Sequence, residues 1–158
     1  MKKLLFSLAV LALFMQSCHK PQNNTTASGL IRSNFQTVID GDSTDLYVLK
    51  NTAGMEVCIT NYGGRIVSIM VPNKQGELKD VVLGFDSIAD YINVPSDFGA
   101  SIGRYANRIK NGQITIDGKT IQLPQNNFGH CLHGGPKGWQ YQVYQKVNQI
   151  DTTTIEMT

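Results

Sequence analysis

From Phe35 onward, short apolar stretches alternate with turn-forming residues. Leu46 and Val48, then Met55, Val57 and Ile59, alternate with polar residues on either side of a turn at 51–54. Because successive strand side chains point to opposite faces, that pattern predicts a β-hairpin. Two apolar runs, 66–71 and 81–85, flank the turn-rich link PNKQGELKD and predict two further strands. The sharpest signal spans 112–123, where Asp117-Gly118 is a dipeptide favoured in type I′ turns. A two-residue loop there pairs Ile116 with Lys119 and Ile114 with Ile121. Period two then sets Ile114, Ile116, Ile121 and Leu123 on one face, with Gln113, Thr115, Thr120 and Gln122 on the other. Only 87–91 has a helical look, and neither an internal repeat nor a heptad is visible. Strands at this spacing predict an all-β protein, an antiparallel β-sandwich or barrel. The closing segment VYQKVNQIDTTTIEMT carries Ile155 and Met157 in strand alternation with no turn after them. It reads as the front part of a larger domain, with the sandwich incomplete at its C-terminal side.

The start of the chain has a different character. Lys2 and Lys3 precede an apolar run at 4–15, and the small residue Ser17 precedes Cys18. The run is too short to cross a bilayer and has the layout of a secretory signal. The small residue before Cys18 resembles a lipobox, so 1–17 is expected to be a lipoprotein signal peptide and Cys18 the lipidated residue. Residues 18–33 then form a flexible polar tether, since HKPQNNTTASG offers almost no apolar surface to offset ordering. Residues 34–158 form the folded part. The expected location is the bacterial cell envelope, lipid-anchored or periplasmic, with membrane contact only through Cys18.

Removing the signal removes two of the fourteen basic residues, leaving twelve against twelve acidic ones. A formally neutral chain without an Arg-rich run makes nucleic acid an unsuitable partner. Cys58 and Cys131 remain; they could pair in an oxidising compartment, but an apolar strand around Cys58 suits a buried free thiol.

Several residues could carry chemistry. His130 and His133 resemble half a metal site, but zinc needs three or four ligands, so no metal site is assigned and hydrogen-bonded loop histidines are the simpler reading. GGRI at 63–66 and HGGPKG at 133–138 lack a phosphate-loop context and suit tight bends or close backbone approach to a ligand. No Ser-His-Asp order is present. Arg104 and Arg108 would share a face on an extended strand. Arg108 also adjoins Asn107, and an Arg fork with an Asn amide offers donors and an acceptor suited to vicinal sugar hydroxyls. Trp139 and Tyr141 suit either a sugar-stacking platform or core packing.

The blocks TNYGGRIVSIMVPNKQGELKDVVLGFDS, GASIGRYANRIKNG and LHGGPKG resemble successive signatures of the aldose 1-epimerases, the galactose mutarotases. The resemblance runs from about Phe35 to the end of the chain. It implies a single large antiparallel β-sandwich, a supersandwich, in a domain far longer than this chain. It also implies interconversion of the α and β anomers of free aldoses such as galactose and glucose. In the family a Glu acts as general base on the C1 hydroxyl and a His as general acid on the ring oxygen. Carried over by motif, Asn107, Arg108 and His133 would bind the sugar. The acid and base would lie past Thr158, so no catalytic residue is assigned within the chain and negligible activity is expected of it alone. No cofactor is implied for the chemistry, although some relatives are reported with calcium. The resemblance implies a monosaccharide partner and a monomer at full length. Two departures are local: His130 stands where an Asn is common, and WQYQVY follows Gly138 where an Asp-Lys and a Trp are common. A non-catalytic sugar-binding envelope lipoprotein is the competing reading. A sugar-phosphate epimerase relative fits poorly with an export signal.

Overall fold

The computed structural model describes residues 25–158. The signal peptide, the lipidation of Cys18 and the first part of the tether fall outside the described residues. A four-stranded antiparallel sheet, in the order β3 (Leu46–Lys50), β4 (Glu56–Thr60), β5 (Arg65–Pro72) and β6 (Leu78–Asp80), is the main element. Before it comes the short pair β1 (Val38–Ile39) and β2 (Asp42–Ser43). After it come helix α1 (Ile88–Asn93), β7 (Arg108–Ile109), β8 (Gln113–Ile116), β9 (Lys119–Gln122), β10 (Cys131–Leu132), β11 (Val147–Gln149) and β12 (Ile155–Met157). Every strand pair is antiparallel, as the sequence predicts.

The β3–β4 hairpin has the expected turn, with Leu46 opposite Thr60 and Lys50 opposite Glu56. Asn51 Oδ1 closes the turn by accepting from the Ala53 and Met55 amides at 3.0 and 2.9 Å. The buried face differs from the apolar alternation. Glu56, Cys58 and Thr60 are buried with Leu46, while Val57 and Ile59 are only half-buried on the opposite face. Glu56 tolerates burial because Oε1 accepts from the Ala27 amide at 2.7 Å and Oε2 lies 2.7 Å from Lys50 Nζ, an ion contact without hydrogen-bond alignment.

The strand expected at 81–85 lies earlier, at Leu78–Asp80. Asn73 causes the shift: its Oδ1 accepts from Gln75 and Glu77 amides at 2.9 Å each, and Asn73 N donates to Glu77 O at 2.8 Å. The turn therefore closes straight after Pro72, and the return strand begins inside the polar link. Val81 and Leu83 are left 62% and 72% exposed. The helical segment forms as α1, capped by Ser87, whose Oγ accepts from the Asp90 amide at 3.1 Å.

The tether expectation is corrected for 25–33. Thr25 bridges Ile31, Leu30 is 6% exposed in the core, and Arg32 makes a two-pronged ion pair with Asp45 at 2.8 and 2.6 Å. A polar segment orders here because Glu56 and Asp45 satisfy its amide and its guanidinium. Phe35, Leu46, Cys58, Val67, Ile88 and Tyr91 form the heart of the core, with Phe85 edge-on to Tyr91 at 5.0 Å. Cys58 and Cys131 are both buried free thiols. The β8–β9 hairpin has the predicted register. Its apolar face is uncovered among the described residues, with Ile116 and Ile121 53% and 41% exposed.

Candidate functional site

The pair β7–β10 sets Leu132 opposite Arg108 and Cys131 opposite Ile109. The flanking residues Asn107 and His133 therefore meet. They are bonded twice: His133 N donates to Asn107 O at 3.0 Å, and Asn107 N donates to His133 Nδ1 at 3.0 Å. A backbone N–H can only donate, so Nδ1 must offer its lone pair and the neutral ring carries its proton on Nε2. Arg108 is held just as firmly. Its Nη1 donates to Asn107 Oδ1 at 3.3 Å and its Nε to Asn127 Oδ1 at 2.9 Å. The turn 127–130 fixes Asn127 in place through reciprocal Asn127–His130 backbone bonds of 3.1 and 2.8 Å.

The structure thus brings Asn107, Arg108 and His133 onto one small surface. Among the described residues, Asn107 Nδ2, Arg108 Nη2 and His133 Nε2 have no partner, and Arg108 makes no ion pair. Three unused donors, one on a fixed cation, suit a ligand rich in hydroxyl oxygens.

Glycines let the loops of this surface close on one another. A Cβ on Gly134, at φ 79°, would lie 2.0 Å from Gly103 O, and one on Gly103 would lie 2.2 Å from the Trp139 ring. Arg104 does not share a strand with Arg108, because β7 spans only Arg108–Ile109. Its guanidinium sits over Trp139 instead, 5.6 Å from the ring centroid. Trp139 and Tyr141 are 39% and 38% exposed, so neither is a core residue. His130 has its own backbone bond, accepting from the Asn111 amide through Nδ1 at 3.1 Å. No group of three or more potential metal ligands occurs among the described residues.

Sequence reasoning missed the buried support. Arg65 is 0% exposed, yet Nη1 donates to Ser96 O at 3.0 Å and Phe98 O at 3.2 Å, and Nη2 to Gln140 O at 2.8 Å. Burial pulls its guanidinium below the ordinary arginine value, opposed chiefly by Tyr62 and Tyr91. The Gly63–Gly64 bend serves backbone approach: a Cβ on Gly63 would lie 2.5 Å from Gln140 O. Asn61 is a second hidden clamp, accepting from Asp45 N at 2.9 Å and donating to Ser43 O and Tyr144 O at 3.0 Å each. The signal available for both was the polar block TNYGGR sitting between two apolar strands. Two cavities, of about 210 Å³ beside Leu49, Met55 and Val57 and about 190 Å³ beside Leu30, Ser68 and Phe85, lie apart from the candidate surface.

Comparison with known proteins agrees with the family resemblance. The family profile described as aldose 1-epimerase matches residues 45–158. The aldose 1-epimerase of Escherichia coli strain K12 is 40% identical over 116 residues, covering 73% of this chain and 34% of that protein. Bos taurus galactose mutarotase is 45% identical over 85 residues, covering 54% of this chain and 25% of that protein. Among solved structures, the GalM/aldose epimerase homologue from C. elegans superposes with TM-score 0.68 at 32% identity, over 72% of this chain and 35% of that one. The galactose 1-epimerase from Lactobacillus acidophilus NCFM gives 0.60 at 27% identity, over 72% and 32%. The chain spans between a quarter and about a third of the length of these relatives. With its profile, its antiparallel sheets and its motif blocks in agreement, the chain belongs to the aldose 1-epimerase family.

Proposed function

We propose that Asn107, Arg108 and His133 grip the hydroxyls of a monosaccharide, within a protein that interconverts the α and β anomers of free aldoses such as galactose and glucose. The supporting observation is the pair of hydrogen bonds between Asn107 and His133, which fixes three unpartnered donors beside one another. Mutarotation removes a proton from the C1 hydroxyl and delivers one to the ring oxygen. The ring opens, the aldehyde turns about C1–C2, and closure yields either anomer. A fixed guanidinium and an Nε2–H stabilise negative charge that develops on sugar oxygens during opening. Both steps are proton transfers, so the chemistry itself needs no cofactor.

The proton-transfer residues belong, in this reading, to the part of the family domain that this chain does not span. The chain alone then binds aldose and leaves anomer exchange near the buffer rate. Polarimetry of fresh α-galactose with the purified chain tests that, and a rate well above buffer overturns it. Arg108→Ala and His133→Ala should each weaken galactose binding roughly tenfold or more, the worth of one hydrogen bond involving a charged or fixed donor. Undiminished binding in both variants would move the site elsewhere. Lipid anchoring at Cys18 and an envelope location are proposed from the sequence; fatty-acid label that survives Cys18→Ser would contradict them. A monomer is proposed for the full-length protein.

A further inference from the structure

Gln140 makes no contact with a candidate ligand group, yet it holds the residue that does. It is 1% exposed, and its Nε2 donates to the His133 carbonyl at 3.0 Å. Its own carbonyl accepts from Arg65 Nη2 at 2.8 Å. Arg65 is locked by two further carbonyls, Ser96 and Phe98, and by the rings of Tyr62 and Tyr91, 5.4 and 4.9 Å from its Cζ. Gly138 leaves room for this arrangement: a Cβ there would lie 2.3 Å from His133 O and 2.4 Å from Gln140 Oε1. His133 is therefore held on both sides, by Asn107 at its amide and Nδ1 and by Gln140 at its carbonyl.

The backbone of His133 needs that hold. Its φ is 53°, the left-handed region that a non-glycine residue occupies only when its surroundings impose it. Released at the carbonyl, the residue would relax toward an ordinary conformation and swing its ring away from the Asn107 amide. Nδ1 would then lose the donor that assigns it the lone pair.

We infer that Gln140, anchored by Arg65, is a positioning residue for His133. It fixes the left-handed backbone and, through it, the ring tautomer that presents Nε2–H as a donor. The affinity consequence rests on the sugar-site reading above; the tautomer consequence does not.

The test uses the ¹⁵N-labelled chain and long-range ¹H–¹⁵N spectra of its histidine rings. His133 in the unmodified protein should show one neutral form, protonated on Nε2. His130 is an internal control, since its ring accepts from the Asn111 amide and not from the Asn107 amide. Gln140→Leu removes the donor, and Gln140→Glu sets an acceptor against the His133 carbonyl. In both, the His133 ring nitrogens should move toward tautomer-averaged shifts while those of His130 stay put, and galactose affinity should fall roughly tenfold. A folded variant with His133 shifts unchanged overturns the proposal. If neither variant folds, hydrogen exchange at the Gln140 side-chain amide in the unmodified protein decides: protection supports the bond, and exchange as fast as that of an exposed glutamine overturns it. Should galactose bind no form of the chain, the sugar reading fails while the His133 signature still settles the role of Gln140.

Discussion

Between 30 and 91 the chain buries Phe35, Leu46, Cys58, Val67, Ile88 and Tyr91, side chains that pack against one another. Between 103 and 142 the buried residues are Gly103, Gly112, Cys131, Gly135, Gly138 and Gln140, four of them glycines with no side chain to pack. The first region is held by apolar contact around a four-stranded sheet. The second is held by backbone approach and a relay of directional bonds from Arg65 through Gln140 to His133 and Asn107. Stability and candidate function thus sit on different parts of the chain. Substitutions should separate them.

The largest expected effect is in the sheet region. Phe35 is 0% exposed, and Phe35→Ala should cost about 3–5 kcal/mol in urea unfolding. Arg65→Leu comes next because Arg65 links the two regions. Its loss strands three carbonyls, and a cost of about 2–4 kcal/mol is expected after the relief of burying a charge is set against it. Ser87→Ala removes the cap of α1 and should cost about 1 kcal/mol. Arg108→Ala should move stability by less than about 0.5 kcal/mol while weakening sugar binding. An Arg108→Ala cost as large as that of Phe35→Ala would erase the distinction between the regions.

Cys58 sharpens the comparison through pH. Burial first, and the Glu56 charge second, push its thiol up to about 11 from 9.0. Below pH 9 the thiol is neutral in folded and unfolded chains alike, so its burial imposes no pH dependence. Between pH 9 and 11 the unfolded chain gives up this proton first, so stability falls as pH rises. The decline attributable to this group should be absent from Cys58→Ala, and alkylation of native Cys58 at pH 8 should be slow. An identical alkaline slope in the variant would contradict the burial.

The features legible in the sequence were those fixed locally. The register of β8–β9 followed from Asp117-Gly118, and α1 falls where 87–91 had a helical look. The displacement of β6 was not legible, because the Asn73 turn chooses a polar strand over the apolar run beside it. Nor was the ordering of 25–33, whose polar groups find Glu56 and Asp45 across the fold. Hydrophobic alternation has no sign for a buried polar group, so Arg65 and Gln140 stayed hidden. Asn107, Arg108 and His133 could be named from motif blocks, but their mutual bonds depend on a β7–β10 pairing of two residues each. A pairing so short leaves no periodic trace.

One titration bears most directly on the sugar site: galactose added to the ¹⁵N-labelled chain, followed at every backbone amide. Saturable shifts confined to the amides of Asn107, Arg108, His133 and Gly134, and abolished by Arg108→Ala, are the expected result. Shifts centred on the grooves at Met55 or Phe85, or none at those four amides up to concentrations that saturate any specific site, would contradict it.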